Sequence, residues 1–503
     1  MSVSSSGQGP VVPDRRRRLL ILGICSMSLL IVGLDNTIVN VALPSIHRSL
    51  HASFSGLQWT VDAYTLVLAS LLMLSGSTAD RIGRRRVFQI GLTLFSIGSL
   101  LCALAPTLGL LIAARVLQAI GGSMLNPVAM SIIRNVFEDP RERAQAIGVW
   151  GGVIGISLAL GPVVGGALTD SVGWPAVFLV NVPIGITAFI LTALYVPESR
   201  AEHPRRIDPL GQILVIVGLA TLTYAIIEAP TDGWTSARTL TEFAVSVIAF
   251  VVLVRHELRR REPLIEVRFF ASAPFSGATV VAVCVFASLG GFLFLNTLYL
   301  QSVRGLSPFD AGLCTLPMAG VTLIVAPLSG RLVGNRGARV PLVVGSLGLL
   351  IGAAILTQLT ATTPFWLLIV TYFIFGLGFG VINPPITNTA VSGMPPSQAG
   401  VASAVASTAR QVGSTLGVAV LGALAGASAA AGLGHGFAEA THVSWWIIVA
   451  LSLIVLVVGV VTTTPWAMET ARRTAERFRE DGPAASPPVD AEAEPGRPEL
   501  VTR

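Results

Sequence analysis

Residues 19–44 read LLILGICSMSLLIVGLDNTIVNVALP, an apolar run that contains a single carboxylate, Asp35. A helix needs about 20 apolar residues to cross the ~30 Å hydrocarbon core of a bilayer. Four arginines, Arg15 to Arg18, precede the run, so it begins as a secretory signal does. The run continues without a small-residue cleavage site, and it therefore predicts a first membrane span that is retained.

Comparable runs recur along the whole chain. Of 503 residues, 52% are hydrophobic and 12% are charged, whereas about a quarter of the residues in a soluble protein are charged. We therefore predict an all-α integral membrane protein with fourteen spans. The spans are expected at 19–44, 57–79, 87–105, 108–133, 143–169, 175–196, 208–228, 239–256, 273–300, 309–333, 340–361, 364–390, 399–426 and 441–463.

The arginines predict the orientation, because loops on the cytoplasmic side of a membrane protein are enriched in basic residues. Alternate loops carry the clusters at 15–18, 81–86, 134–143, 200–206, 255–261, 331–339 and 472–473, and the other loops hold only Arg48, Arg238 and Arg304. Both termini should therefore be cytoplasmic, in a bacterial inner membrane. The net charge of +6 reflects this membrane-facing pattern, and we expect no nucleic-acid partner.

Several function classes are disfavoured by what the sequence lacks. It contains no lysine, so a P-loop ATPase and a Schiff-base enzyme are excluded. The four cysteines lie in apolar runs, and no His, Cys or Glu spacing suits a metal. We expect no enzyme, no metal and no cofactor, and transport would then be driven by a gradient.

The chain also contains a weak internal repeat. The segment Gly76-Ser-Thr-Ala-Asp-Arg-Ile-Gly-Arg-Arg is echoed by Gly330-Arg-Leu-Val-Gly-Asn-Arg-Gly-Ala-Arg. Two similar halves are typical of secondary transporters. We predict a disordered tail at 1–14, a six-helix bundle at 15–198, two inserted helices at 199–262, a second six-helix bundle at 263–465 and a disordered tail at 466–503.

Few ionisable residues lie well inside the predicted spans, and Asp35, Asp62, Arg115 and Arg410 are the candidates for a function. Each costs about 2.5–3.5 kcal/mol on insertion scales, so each needs a partner or a function. Counting along the helices places Asp35 about 13 Å and Arg115 about 10 Å below the outer surface, with Asp62 slightly shallower. An Asp35–Arg115 pair at this depth suits proton coupling, because a carboxyl that loses its cationic partner can bind a proton. A static ion pair is the alternative, and Asp62 could instead face the lipid headgroups.

Polar residues share helix faces in several spans. Arg115, Gln118, Gly122 and Asn126 lie on one face of the fourth span, and Asn36 and Asn40 on one face of the first. With Asn296, Asn383, Asn388, Arg410 and Gln411 they form a candidate polar pathway. Interhelical amide bonding is the alternative for each amide. In the fifth span, recurrent glycines and Pro162 indicate a kinked, closely packed hinge, although static packing explains the glycines equally well.

Taken in order, these motifs resemble the fourteen-span drug:proton antiporters of the major facilitator superfamily, the QacA/EmrB-like branch. The resemblance covers about 14–465. It rests on Leu34–Pro44, Trp59–Tyr64, Gly76–Arg86, Leu111–Gln118, Gly155–Gly166, Phe178–Gly185 and Ala409–Gly413.

The resemblance implies roles for individual residues. Asp35 would be the proton-coupling carboxylate, Arg115 would tune it, and Asp62 would assist protonation or cation binding. The cytoplasmic gate would comprise Gly76, Asp80, Arg81, Gly83, Arg84 and Arg85. The antiporter motif that seals the carrier against leak would comprise Gly155, Gly161, Pro162, Gly165 and Gly166. Trp59 and Tyr64 join the candidate pathway.

Three positions depart from the family pattern: Ala119 and Gly334 replace an expected glycine and acid, and Pro175 interrupts a Trp-Arg-Trp run. Spans ten and thirteen also lack embedded carboxylates, so neutral or singly charged amphiphiles fit better than dications. The leading hypothesis is a monomeric, proton-coupled exporter of drugs or antibiotics. The alternatives are export of one native metabolite, such as a peptide, sugar or amino-acid derivative, and a membrane receptor that does not transport.

Overall fold

The computed structural model describes residues 14–201, 206–260, 262–392, 394, 399–428 and 436–480. These residues form helices joined by short turns, and none of them forms a β-strand. Lipid offers no hydrogen-bond partner to backbone N–H and C=O groups, and a helix pairs these groups internally. The predicted all-α membrane fold is confirmed.

The helices fall into two halves with a hairpin between them. The first half contains α1 (Arg15–Leu50), α2 (Phe54–Ile82), α3 (Arg84–Ala103), α4 (Leu108–Val136), α5 (Pro140–Ser171), α6 (Ala176–Leu179) and α7 (Asn181–Tyr195). The hairpin consists of α8 (Pro209–Asp232) and α9 (Ala237–Arg259). The second half contains α10 (Ala273–Leu298), α11 (Pro308–Cys314), α12 (Leu316–Arg336), α13 (Arg339–Leu356), α14 (Phe365–Val391), α15 (Ala399–Ser428), α16 (Phe437–Ala440), α17 (His442–Val461) and α18 (Pro465–Glu480).

Thirteen helical stretches among the described residues are long and apolar enough to span a membrane. Three of them join two helices each, at Ala176–Tyr195, Pro308–Arg336 and Phe437–Val461. The remaining predicted span, 399–426, corresponds to α15. The structure is therefore consistent with fourteen spans, arranged as two six-helix bundles and an inserted pair.

The expectation that residues from 466 onward are disordered is wrong for 466–480, which form α18. Ala467, Ala471 and Thr474 are buried on one face of this helix. The Phe478 ring lies 5.2 Å from the ring of Phe269, in a short 3-10 segment before α10. The polar composition hid this face, which becomes stable only because another segment covers it. Residues 1–13 of the predicted first tail at 1–14, and the part of the second tail beyond 480, lie outside the described residues.

The repeat seen in the sequence has a structural counterpart. A Cβ added at Gly76 of α2 would lie 3.8 Å from Pro127 of α4. A Cβ added at Gly330 of α12 would lie 3.9 Å from Pro384 of α14. The two halves thus use the same close contact between equivalent helices, as expected of a duplicated bundle.

We call the end of the bundle that carries Arg15–Arg18 the arginine-rich face and the opposite end the arginine-poor face. The two halves meet closely at the arginine-poor face. There the Phe309 N–H of α11 donates to Asp170 Oδ2 at the end of α5 (2.9 Å). The Gln301 side-chain amide donates to the Val41 carbonyl of α1 (2.8 Å). This face is therefore closed by direct contacts between the halves.

The inserted hairpin lies across the junction of the halves. Helix α8 packs against α9, against α2 of the first half and against α15 of the second half. The Gln212 amide of α8 donates to the Ser70 carbonyl of α2 (2.7 Å). The hairpin therefore touches the two helices that must separate or slide if the halves move.

Candidate functional site

Asp35 lies in a fully enclosed polar cage between α1, α4 and α7. Its Oδ2 is 2.5 Å from Arg115 Nη1, and the two side chains are 0% and 1% exposed. Its Oδ1 accepts hydrogen bonds from the side-chain amides of Gln118 (2.8 Å) and Asn181 (3.2 Å). The predicted Asp35–Arg115 pair is present, and amide donors as well as a guanidinium hold the carboxylate.

Arg115 has further partners that do not depend on Asp35. Its Nε donates to the Thr60 carbonyl (3.0 Å), and its Nη1 donates to Gln118 Oε1 (2.7 Å). Its guanidinium carbon lies 4.1 Å from the centre of the Tyr64 ring and 5.7 Å from that of Phe178. Neutral acceptors and aromatic faces thus stabilise this cation even where its ion pair is broken.

Sequence reasoning missed two members of the cage, Asn181 and Ser99. Asn181 begins α7 and reaches Asp35 from a helix far away in sequence. The Ser99 hydroxyl of α3 accepts from Gln118 Nε2 at 2.7 Å. Asn181 lies within Phe178–Gly185, one of the segments on which the family resemblance rests, so that segment could have indicated a role for it. Ser99 gave none, because serines are common in packed membrane helices.

Asp62 does not join this cage. It is fully buried, its Oδ1 accepts from Thr65 Oγ1 at 3.4 Å, and its Oδ2 has no hydrogen-bond partner among the described residues. The Thr65 hydroxyl in turn accepts from Thr415 of α15 (2.9 Å). The alternative that Asp62 faces the lipid headgroups is therefore wrong, and Asp62 lies close to the junction of the two halves.

The predicted pathway residues of the first half divide between the cage and other contacts. Gln118 and Tyr64 are buried around Arg115 and do not line an open path. Trp59 donates its indole N–H to Glu228 Oε1 of α8 (2.8 Å), a carboxylate that sequence reasoning missed. The sign of Glu228 in the sequence was a single acid within the apolar run 213–229.

The three predicted pathway asparagines of the first half, Asn36, Asn40 and Asn126, lie outside the Asp35 cage. Asn36 is half-buried, and its carbonyl accepts from Asn40 Nδ2 at 3.0 Å. The side-chain oxygens of Asn40 and Asn126 have no partner among the described residues. Both oxygens are shielded from solvent in this arrangement, so each is an unused acceptor inside the bundle.

In the second half, a neutral pair takes the place of the ion pair. The segments LGLLIAARVLQAIGGSMLNP at 108–127 and FWLLIVTYFIFGLGFGVINP at 365–384 align without a gap and place Tyr372 at the Arg115 position. The Tyr372 hydroxyl donates to Asn296 Oδ1 (2.5 Å), and both side chains are buried. Asn296 is thus bonded inside its bundle, whereas Asn383 and Gln411 are half-buried and Asn388 is exposed.

The candidate gate folds back on its own half. Arg84 donates to Asp80 Oδ1 through Nη2 (2.9 Å) and Nε (3.1 Å), whereas Arg81 is exposed. The Arg85 N–H donates to Glu198 Oε1 (3.1 Å). Gly83 has φ 127° and passes so close to Glu198 that an added Cβ would lie 2.6 Å from Oε1. Glu198, at the end of the sixth predicted span, is thus a partner that sequence reasoning missed.

The glycines of the antiporter motif let α5 touch two neighbours closely. Added Cβ atoms at Gly161 and Gly165 would lie 1.9 Å from Thr37 Oγ1 and 2.6 Å from Ile38 Cγ1 of α1. A Cβ at Gly166 would lie 2.4 Å from the Pro308 carbonyl oxygen of α11.

Two further residues of the motif contact the second half. The Pro162 carbonyl approaches Gly312 of α11, and an added Cβ at Gly155 would lie 2.8 Å from Leu323 of α12. This segment therefore joins the two halves.

Comparisons with known proteins agree on one family. A family model described as Major Facilitator Superfamily matches residues 25–418. Multidrug resistance protein Stp of Mycobacterium tuberculosis (strain CDC 1551 / Oshkosh) is 38% identical over 409 residues, which cover 81% of this chain and 76% of that protein. Tetracenomycin C resistance and export protein of Streptomyces glaucescens is 37% identical over 402 residues, which cover 79% and 74%.

A solved structure has the same fold. It is the crystal structure of a bacterial homolog to the human lysosomal transporter Spinster, in an inward-facing and unoccupied conformation. The TM-score is 0.62 at 18% sequence identity, over 92% of this chain and 99% of that chain.

The α5–α11 contact predicts a difference between two glycines of one helix. Gly166→Ala should lower the melting temperature of the purified protein, because its methyl group would meet the backbone of Pro308; such overpacking costs about 1–3 kcal/mol. Gly152→Ala is the matched control, since nothing lies within 4 Å of its Cβ position. Thermal unfolding in detergent measures both, and equal melting temperatures for the two variants would contradict the contact.

Proposed function

This chain belongs to the Major Facilitator Superfamily, and on that premise we propose that it exports small amphiphilic compounds, including drugs or antibiotics, in exchange for protons. The similar proteins named as multidrug resistance and antibiotic export proteins support the substrate class. The enclosed Asp35–Arg115 pair carries the argument for proton coupling. The chain would act as a carrier rather than an enzyme, as a monomer, with the proton gradient in place of a cofactor.

The coupling step follows from the contacts of Asp35. A guanidinium and two amide donors surround the carboxyl group of Asp35, and separating opposite charges is costly in a medium of low dielectric constant. A proton on Asp35 Oδ1 would place a donor where Gln118 and Asn181 now donate, so one of these amides would have to turn away or present its oxygen. A proton on Oδ2 would instead face Arg115 Nη1 and weaken the ion pair. Arg115 meanwhile keeps Thr60, Gln118 and the Tyr64 ring as partners. Proton binding would thus rearrange α1 against α4 and α7.

This rearrangement would be transmitted through α1 to the contacts that close the arginine-poor face. Helix α1 carries Asp35 and, two and three residues further on, Thr37 and Ile38, which face the glycines of α5. Helix α5 in turn contacts α11 of the second half. We propose that the proton on Asp35 alters this contact and so changes which side of the carrier is open. The segment Gly76–Arg86, with Asp80, Arg84 and Glu198, would guard the arginine-rich face.

We also propose the placement in the cell. The arginine-rich face would be cytoplasmic in a bacterial inner membrane, with both termini on that side, because basic loops remain inside. The bundles at 15–198 and 263–465 would be the moving halves, and 199–262 would connect them.

Export is tested by dye accumulation in cells that lack their own efflux pumps. Three probes, neutral Nile red, cationic ethidium and anionic 1-pyrenebutyrate, cover the charge types. Cells with the wild-type protein should exclude at least one probe, and a proton uncoupler or Asp35→Asn should abolish this at equal protein level. Glu469→Gln, on the exposed surface of α18, is the control that should exclude as wild type does. Exclusion unchanged by both treatments would refute proton coupling, and no exclusion of any probe would refute broad drug export.

Orientation is tested with an impermeant maleimide on intact cells, in a variant without the four native cysteines. Thr235→Cys, exposed between α8 and α9, should be labelled, and Asn135→Cys, exposed at the end of α4, should react only after the membrane is opened. The reverse pattern would overturn the proposed orientation.

A further inference from the structure

Helix α15 carries an arginine that the protein itself leaves poorly compensated. Arg410 donates through Nη2 to the Thr387 hydroxyl, and its guanidinium carbon lies 5.8 Å from the centre of the Phe286 ring. Its Nε is shielded from solvent and has no hydrogen-bond partner among the described residues. No carboxylate in the described part of the chain lies within the 4.0 Å of an ion pair with it.

The contrast with Arg115 shows how incomplete this environment is. A guanidinium has five N–H donors. Arg115 spreads them over a carboxylate, an amide oxygen and a backbone carbonyl, and two aromatic rings lie near it. Arg410 has a single hydroxyl acceptor of this kind among the described residues. A charge inside a membrane protein is costly unless a counter-charge, water or a ligand stabilises it.

The position of Arg410 indicates what can reach it. On α15, Gly413 lies against the α10 backbone, the Thr415 hydroxyl contacts α2, and Val412 packs in the cluster formed with α8. With 100° per residue, Arg410 lies between the side that meets α10 and the side that meets α2. The Ser414 hydroxyl lies closer to α10, 3.1 Å from the position of a Cβ added at Gly290. Because α10 belongs to the second half and α2 to the first, the face that carries Arg410 points toward the space between the halves.

Other hydroxyl groups share this face. Ser403, Ser407 and Ser414 lie seven and three residues before Arg410 and four residues after it, which is one side of a helix. All three are half-buried. Together with Arg410 they form a stripe of hydrogen-bond donors along the second half.

A pair of aromatic rings, one of which faces the guanidinium, lies beside Arg410. The rings of Phe286 and Phe379 contact edge to face, with centroids 5.4 Å apart. Phe286 is half-buried and is the ring nearest to Arg410. An apolar surface beside a cation suits a ligand with a negative head and a hydrophobic body.

Among the described residues, none of the embedded acids Asp35, Asp62 and Glu228 forms an ion pair with Arg410; Glu228 accepts from Trp59. Asp35 is enclosed by Arg115, Gln118 and Asn181. Asp62 is buried on α2 against Thr65, on the side of α15 that Thr415 occupies. In this arrangement a negative charge that compensates Arg410 would therefore be supplied by a bound ligand.

We propose that Arg410, with Thr387 and the neighbouring Ser407, binds the carboxylate of a singly negative amphiphilic substrate whose apolar body lies against the half-buried ring of Phe286. Carboxylates are favoured partners because their two oxygens match the guanidinium fork. The proposal rests on the export function above and narrows its substrate class from amphiphiles in general to amphiphilic monoanions.

The test is binding without any proton gradient. Purified full-length protein in nanodiscs is dialysed to equilibrium against 1-pyrenebutyrate or 1-pyrenebutanol, which share an aromatic body and differ in the carboxylate, and binding to empty nanodiscs is subtracted. The wild type should bind the carboxylate about tenfold more tightly than the alcohol, as a charge-assisted hydrogen bond implies. Arg410→Gln should remove this preference and leave binding of the alcohol unchanged.

Two further variants complete the test. One replaces Arg410→Gln if that variant does not fold, and the other separates the contribution of the aromatic ring from that of the charge. Arg410→Lys keeps the charge without the fork and should keep a reduced preference for the carboxylate, so it serves if Arg410→Gln does not fold. Phe286→Leu should weaken both probes equally. A wild type without preference for the carboxylate, or one that binds neither probe, would overturn the proposal. So would an unchanged preference in Arg410→Gln, which would assign Arg410 a structural role.

This outcome is independent of proton coupling. Asp35→Asn should retain the carboxylate preference in the dialysis experiment, because Asp35 lies in a separate cage. Failure of the Arg410 proposal with intact, uncoupler-sensitive export would leave the exporter function standing. Loss of export with intact carboxylate binding would leave the Arg410 site standing and refute the exporter function.

Discussion

The ion pair between Asp35 and Arg115 lies where neither charge can reach water, and its surroundings are built to make that tolerable. Removing one partner of a buried pair costs about 3–5 kcal/mol, because it leaves an uncompensated charge. The cage lowers this cost from both sides: Gln118 and Asn181 donate to the carboxylate, and Thr60 accepts from the guanidinium. A pair supported in this way would be easier to open and close, as the proposed proton coupling requires.

The close packing of α5 connects this pair to the rest of the protein. Glycines at 161 and 165 lie against the helix turn of α1 that follows Asp35, and Gly166 lies against α11. Interfaces packed this tightly have few alternative arrangements, so a small change at one end is transmitted rather than absorbed. The second half repeats the architecture with a neutral Tyr372–Asn296 pair. The asymmetry restricts ion-pair chemistry at this position to the first half.

The sequence predicted those features that depend on local pattern. Span lengths follow from hydropathy, and the depths of Asp35 and Arg115 follow from counting residues along helices, so their pairing was foreseeable. Asn181 was not, because spacing within one helix cannot tell which other helix it faces. The hydrogen bond between Trp59 and Glu228 could not be predicted for the same reason, because it depends on how the hairpin packs against α2. Helix α18 was not predicted because its composition is mostly polar, and its small apolar face is buried only by contact with another segment.

The most direct test follows the distance between the halves as the pH changes. Spin labels at Leu104→Cys and Trp366→Cys, both exposed and in different halves, report on the arginine-poor face of a variant without native cysteines. Double electron–electron resonance should show a distance distribution that shifts between neutral and acidic pH. Asp35→Asn, which mimics the protonated carboxyl, should show the acidic distribution at every pH. A pH response in Asp35→Asn equal to that of the parent protein would contradict the account.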